Sequence, residues 1–371
     1  MSSRVFRAPG RVNLIGEFTD YNDGFVMPAA VEFATTVAVT NRSDRMLGMH
    51  SGNMAQHREF PLDDPAAHPA KDWSDYVRGV AVILERLGHR LQGADLEIEG
   101  NVPMGAGLSS SASIEVATAL ALIGVSGLTI GLKEIAQLCQ RAENEFAGSR
   151  CGIMDQFISC FGKAGHALLL DCRSLESRLI PIPPGVRLVI CNTMVRHQHS
   201  SGEYNNRRAD CEAGVRHFAR LLRHVRALRD VTLADLTRHG DGLTGTVYRR
   251  CRHVISENAR VERAAQALEQ SDLDTLGILM AESHRSLRDD FEVSCPELDL
   301  MVDLALASPG IRGARMTGGG FGGCAISLVE QDRVDDFVKQ VSEGYRKATG
   351  TTPELYVTSA ADGAGEVFPV A

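Results

Sequence analysis

The chain has 371 residues, with 47 Asp and Glu against 39 Lys and Arg, a formal net charge of −8. That balance excludes a basic nucleic-acid footprint and electrostatic attachment to an acidic membrane. With 44% hydrophobic and 23% charged residues, disorder, collagen and coiled coil are excluded as well, and two domains, or one large one, with a sizeable core are predicted.

From Met1 to Gly10 there is no apolar run, so no secretory signal is read. Phe25–Val39 holds β-branched and apolar runs, and Ala94–Ile98 alternates as a half-buried strand does. Helices are predicted over Trp73–Leu87, Ser111–Val125 and Leu132–Phe146, the last with Ile135, Leu138, Cys139, Ala142 and Phe146 on one face. The most apolar stretch, Ser113 to Leu132, carries Glu115 and is broken by Gly, Ser and Thr, which predicts a buried helix and not a membrane span. Another apolar helical face runs through Ile153, Met154, Phe157, Ile158 and Phe161. Strands are expected at Ala167–Leu170 and Val186–Cys191, separated by the stiff Pro181-Ile-Pro-Pro-Gly185. That segment places a domain boundary near residue 184, dividing 1–184 from 185–371.

The second half predicts long charged helices at Tyr204–Arg229, Val247–Gln270 and Leu273–Leu287, then a Gly-rich turn. A strand at Cys324–Val329, a helix at Arg333–Thr349 and a strand at Glu354–Thr358 close the chain. Strands and helices without strict alternation indicate an α+β fold. The nine cysteines include no Cys-x-x-Cys and mostly sit in apolar segments, a pattern of buried, reduced thiols in a cytoplasmic protein. His197 and His199 form a His-x-His in a polar loop, a pairing that is more often solvated than metal-bound, and the histidines as a whole suggest no metal site.

Three segments are dense in chemistry. Between Ala8 and Pro28, Arg11, Glu17, Asp20 and Asn22 are interrupted by Gly10 and Gly16. Adjacent sugar hydroxyls are read by carboxylates in such clusters, although a solvated loop would also account for it. In Pro103–Ala112, Gly105 and Gly107 let the backbone approach a ligand, and Ser109, Ser110 and Ser111 open a helix whose free N–H groups favour phosphate. No Gly-Lys-Ser/Thr follows, so this is no Walker A loop; alone, a Ser cap after a Gly turn explains it equally. In Arg315–Cys324, Gly318, Gly320 and Gly323 satisfy G-x-G-x-x-G, but a strand follows where a dinucleotide fold needs a helix. Five glycines in six residues imply a backbone lying against a ligand or another loop, or else a tight hairpin. Glu143 and Asp155 add two acids of the kind metal-assisted phosphoryl transfer requires.

Together and in this order, these segments resemble the GHMP small-molecule kinases, and among them the branch that phosphorylates galactose. Gly10–Asn22 resembles that branch's sugar signature, Pro103–Ala112 the family's phosphate loop and Met316–Gly323 its third motif. Ala142–Gln156 and Ser201–Arg208 resemble the same branch, so the likeness runs from about residue 7 to 360. It implies a two-lobed fold with the active site in the cleft and transfer of the γ-phosphoryl of ATP to the anomeric hydroxyl of D-galactose. It further implies that Asp155 faces that hydroxyl with Arg11 beside it, while Glu17, Asp20, the Gly152 backbone and Tyr204 bind the others. Ser110 and Glu143 would hold Mg²⁺, Gly105, Gly107, Ser109, Ser110 and Ser111 would cradle the phosphates, and Trp73 would lie against adenine. The expected partners are sugar and ATP, with no nucleic acid, membrane or obligate protein.

Phe18 departs from the pattern, standing where the branch usually carries a His near the sugar's C6 hydroxyl. Losing that polar contact opens an alternative substrate such as L-arabinose or a 6-deoxy sugar. Asn144 and Arg150, in place of the usual His and Pro, are read as structural. A sugar- and ATP-binding regulator without turnover is disfavoured, because Gly107–Ala112 and Asp155 are intact.

Overall fold

A computed structural model describes residues 3–64, 68–103, 105–196 and 200–367. The chain opens with β1 (Arg4–Asn13), β2 (Phe25–Val26), β3 (Pro28–Asn41) and the hairpin β4 (Met46–Ser51) and β5 (Gln56–Pro61), then α1 (Ser74–Arg86) and β6 (Ala94–Gly100). Three helices follow, α2 (Ser110–Val125), α3 (Leu132–Ala142) and α4 (Met154–Phe161), and then β7 (His166–Asp171), β8 (Ser177–Pro181) and β9 (Val186–Arg196). A helical run comes next: α5 (Ser200–Leu221), α6 (Leu233–His239), α7 (Gly245–Glu269), α8 (Leu273–Ser286) and α9 (Pro296–Leu306). The last elements are β10 (Ile311–Thr317), β11 (Gly322–Glu330), α10 (Val334–Thr349), β12 (Glu354–Thr358) and β13 (Gly365–Val367). His197 and His199 lie outside the described residues.

The strands form a six-stranded sheet ordered β13-β1-β3-β6-β4-β5, a four-stranded sheet ordered β10-β11-β9-β12 and a small β2-β7-β8 sheet. All pairings are antiparallel except β4 with β6. Helix α2 is apolar on nearly every side, and it is buried accordingly, with α1, α3 and α4 packed around it against the six-stranded sheet. On the four-stranded sheet, α9 and α10 bury Met301, Val302, Phe337 and Val341. Between the two lies a core that joins Val12, Leu14, Val102 and Leu108 to Val261, Leu276 and Cys324. The sugar-signature and phosphate-loop segments are therefore cemented to the second half of the chain by apolar contact.

Several expectations need correction. The Pro9-Gly10 pair disguised β1 as non-strand; it is accommodated by a register shift between Pro9 and Arg11, where the strand swings toward the phosphate loop. The hairpin β4–β5 was not foreseen, because Gln56 to Glu59 are exposed on both faces and carry no alternation. The helix expected to Arg229 stops at Leu221: the Asp230 carboxylate accepts the backbone N–H groups of Arg226 and Ala227 at 2.8 and 3.1 Å and turns the chain. The helix expected to Phe146 becomes a π turn from Glu143 to Ala147, a wider coil that sets Glu143 at its mouth. A cut at residue 184 does not separate the sheets, since β13 returns to pair with β1, fastened by Arg4 donating to Glu366 at 2.8 Å.

Candidate active site

Arg11 leaves the kinked β1 with its backbone N–H donated to Leu108 O at 3.0 Å. Its guanidinium donates twice to Asp155, Nε to Oδ1 at 2.8 Å and Nη2 to Oδ2 at 2.7 Å, while Nη1 donates to Gly107 O at 2.5 Å. One side chain therefore ties the Gly-rich loop to the acid at the start of α4. Ser109 turns inward and donates its hydroxyl to Asp155 Oδ2, so it faces the acid rather than the solvent side of the loop. Each carboxylate oxygen accepts about two bonds. Oδ2 has both, and Oδ1 keeps room for one more donor.

A pocket of about 160 Å³ opens beside this pair, lined by Arg11, Glu17, Phe18, Asp20, Glu143, Cys151, Gly152, Asp155 and Tyr204. Asp20 and Gly152 are in closer contact than any side chain would permit: a Cβ on Gly152 would stand 1.9 Å from Asp20 Oδ2. Burial, then the negative charge of Asp155, pushes the Asp20 carboxyl up to about 6, against a backbone N–H from Tyr21 that pulls it down. Phe18, at a left-handed φ of 66°, forms the opposite wall, its ring 4.6 Å from Phe291 and 5.7 Å from Tyr204. Backbone strain of that kind persists only where the surroundings over-determine it, and here the aromatic cluster does so.

Glu17 lines the pocket but has little left to offer a ligand. Gly318 N donates to its Oε1 at 2.6 Å, and Oε2 accepts from Asn13 Nδ2 and from Arg315 Nη1, the latter at 3.2 Å. It thus joins the first signature segment to the Gly-rich third one. Of the two readings left open for the third segment, a backbone against another loop is the one realised: a Cβ on Gly318 would stand 3.1 Å from Gly107 O.

A second pocket, of about 140 Å³, is lined by Met54, Trp73, Tyr76, Val102, Ser110, Ser111 and Ile114 among others. Trp73 stands at its rim and donates Nε1 to Gln56 Oε1 at 3.0 Å. The two pockets adjoin through Ser111, which lines the second and hydrogen-bonds Glu143 of the first. Ser110 is exposed at the start of α2 and makes no such bond. Glu143 also accepts Gln156 Nε2 on Oε2 at 2.6 Å and the Cys151 thiol at 3.5 Å. Burial, then the charge of Asp155, raises its carboxyl to about 7. Among the described residues no Lys or Arg forms an ion pair with it, so this acid suits a cation.

Family models match three stretches: a galactokinase galactose-binding signature over residues 2–41, the N-terminal domain of GHMP kinases over 75–163 and their C-terminal domain over 264–347. The galactokinase of Chloroflexus aggregans is 49% identical over 366 residues, spanning 99% of this chain and 94% of that protein. The chain belongs to the GHMP kinase family, among its galactokinases. A second galactokinase, from a Roseiflexus species, is 47% identical over 364 residues, covering 98% of this chain and 93% of its own length. The crystal structure of Lactococcus lactis galactokinase complexed with galactose superposes with a TM-score of 0.95 at 35% identity, covering 99% of this chain and 95% of that one. A mevalonate kinase from Methanococcus jannaschii, at 18% identity and a TM-score of 0.70, shares the fold.

What holds the galactokinase signature in place comes from far away in sequence. Glu257 of α7, fully buried, accepts Gly16 N at 2.9 Å, Ser283 Oγ at 2.5 Å and Arg260 Nε at 2.7 Å. His253, one turn earlier, is held neutral: burial lowers it to about 4. A neutral ring with Nε2–H donated to Glu17 O at 3.1 Å leaves Nδ1 to accept the Ser286 hydroxyl at 3.0 Å. The peptides on both sides of Glu17 are therefore clamped by one helix, and Arg315, wholly buried, clamps its side chain. None of the three was singled out from sequence, where they read as ordinary charges on a long helix or beside a Gly-rich turn. All nine cysteines are free thiols, and no helix among the described residues is long and apolar enough to cross a membrane.

Proposed function

We propose that the chain transfers the γ-phosphoryl group of ATP to the anomeric hydroxyl of D-galactose. The observation that carries this reading is the junction at Arg11. A single guanidinium links the Gly107 carbonyl of the phosphate loop to an acid facing a carboxylate-lined pocket. In this reading the nucleotide base lies in the second pocket against Trp73, and its phosphates run over Gly105 to Ser111 toward Glu143. The N-terminus of α2 and Arg11 supply positive potential there. The sugar occupies the first pocket, with Asp20 accepting hydroxyls, the Gly152 peptide against it and Tyr204 and Phe18 along its apolar face.

The sugar C1 oxygen bonds to the γ-phosphorus as the bond from that phosphorus to the β–γ bridging oxygen breaks, giving sugar 1-phosphate and ADP. The hydroxyl proton passes to Asp155 Oδ1, the oxygen with acceptor capacity to spare, while Arg11 and Ser109 keep the carboxylate in line. Most of the acceleration in such a transfer comes from positioning and from neutralising spread negative charge. Mg²⁺ fits the unpaired Glu143 with the hydroxyls of Ser110 and Ser111, and when bound it would supply charge neutralisation on the phosphates. Free thiols throughout suit a reducing, cytoplasmic compartment.

Phe18 favours a second reading, in which a pentose or 6-deoxy analogue is accepted as well, because the wall it builds is aromatic. A coupled assay of ADP release over a panel of sugars, with the product's phosphate located by NMR, tests both. We expect one ADP per sugar 1-phosphate, and Asp155→Ala to lower kcat by at least ~100-fold, the low end for a general base. Near-normal turnover in that variant would refute the assignment.

A further inference from the structure

Glu115 takes no part in the mechanism above, yet its placement in α2 is costly. The side chain is wholly buried, and no cation pairs with it among the described residues. Its one hydrogen bond is accepted at Oε2 from Gln156 Nε2, at 3.1 Å. The other hydrogen of the same amide goes to Glu143 Oε2 at 2.6 Å. An amide nitrogen has two hydrogens to give, so Gln156 is a fork with a carboxyl group on each tine. Around it, Glu115 Oε1, Thr118 Oγ1 and Gln156 Oε1 are buried without partners. An apolar side chain of similar volume would avoid both the unsatisfied atoms and the crowding of two acids, so this arrangement does not serve stability.

What it does serve is direction. With one amide hydrogen engaged by Glu115, Gln156 cannot rotate away, and its second hydrogen stays aimed at Glu143. Because Gln156 and the Cys151 thiol both bind Oε2 of Glu143, the oxygen left uncommitted to either is Oε1, at the seam between the two pockets. We propose that Glu115 is a positioning residue which, through Gln156, fixes the carboxylate of Glu143 for a divalent cation bound with the nucleotide. The inference rests on the phosphoryl-transfer reading and names a residue that reading does not use.

Trp73 is the chain's single tryptophan and stands on the second pocket, so its fluorescence reports ADP binding without any turnover. ADP is titrated with and without Mg²⁺ into the wild type and into Glu115→Met, Gln156→Met and Glu115→Gln. The Met variants should lose ~10–100-fold of the Mg²⁺ enhancement, the usual consequence of removing a group behind a metal ligand. Metal-free ADP affinity should stay within about threefold, while Glu115→Gln, which keeps an oxygen for the Gln156 amide, should retain the enhancement within the same margin. An undiminished enhancement in both Met variants would overturn the proposal. So would equal weakening with and without Mg²⁺, or a Glu115→Gln as impaired as Glu115→Met. A wild type without Mg²⁺-enhanced ADP binding would instead count against the kinase reading itself, and this inference would go with it.

Discussion

Replacing Glu257 with glutamine removes the anion beneath the sugar-signature loop while keeping its shape. In the folded chain that carboxyl sits at about 2 against an ordinary value of 4.5. Its burial, which would raise it, is outweighed by Arg260, His253 and Arg315 and by the Ser283 hydroxyl. Each unit of such a shift is about 1.4 kcal/mol, so the ionised form contributes about 3 kcal/mol at neutral pH. Breaking a buried pair from one side costs about 3–5 kcal/mol, in the same range. The folded value lies below the unfolded one, so the contribution is complete above pH 4.5 and is lost as pH falls toward 2. Urea unfolding followed by circular dichroism at pH 7 should show a midpoint lower by about 1 M for an m-value of about 3 kcal/mol/M. The gap between variant and wild type should then narrow below pH 4.5. Because Gly16 N–H is one of the donors lost, the sugar KM should rise in the folded variant. A midpoint shift under about 0.2 M at pH 7, with m unchanged, would show that the network is not the anchor described.

Gly152→Ala places a methyl 1.9 Å from Asp20 Oδ2, so Asp20 must move by an ångström or more, and kcat/KM for the sugar should fall by about 100-fold; an unaffected variant would remove Asp20 from the sugar site. Asp20, held at about 6 by burial and by the charge of Asp155, is ionised above that pH and neutral below it. The kcat/KM profile should therefore lose activity on its acid side near pH 6, and Asp20→Asn should abolish that limb, not merely lower the plateau. Phe18→His puts a donor on the aromatic wall and should raise the preference for D-galactose over L-arabinose by at least ~10-fold, with an unchanged ratio showing that Phe18 does not face C6.

Local patterns announced most of the helices, because α1, α3, α4 and α10 each bury one face of a regular coil. Where context overrode pattern, sequence reading failed. The Pro-Gly in β1 looks like a break until its bulge meets Leu108, and the end of α5 depends on one aspartate capturing two backbone amides. Site residues divide the same way. Arg11, Asp155 and Asp20 were visible because charged residues between glycines are uncommon in a core. Ser109 and Glu17 were visible too, but their partners were not: one faces Asp155, and the other is spent on Gly318 and Arg315. His253 and Glu257 could not be told from solvated charges, since what makes them special is the peptide of Gly16 and Glu17, more than 230 residues away.

The charges of the site have a consequence for the order in which ligands bind. Asp20, Glu115, Glu143 and Asp155 lie together, and among them only Asp155 is paired, by Arg11. Burial and mutual repulsion hold the carboxyls of Asp20 and Glu143 near 6 and 7, so near neutrality each carries part of a charge. Metal-free nucleotide would add phosphate charge to this cluster and be repelled by it, whereas a cation arriving with the nucleotide pulls Glu143 fully into its ionised form. That ionisation releases a proton, so binding of the metal–nucleotide complex should tighten as pH rises through 7. Galactose is uncharged and gains only from the ionisation of Asp20. The acids that strain the resting fold are thus the source of the site's preference for a metal-bound nucleotide over a free one.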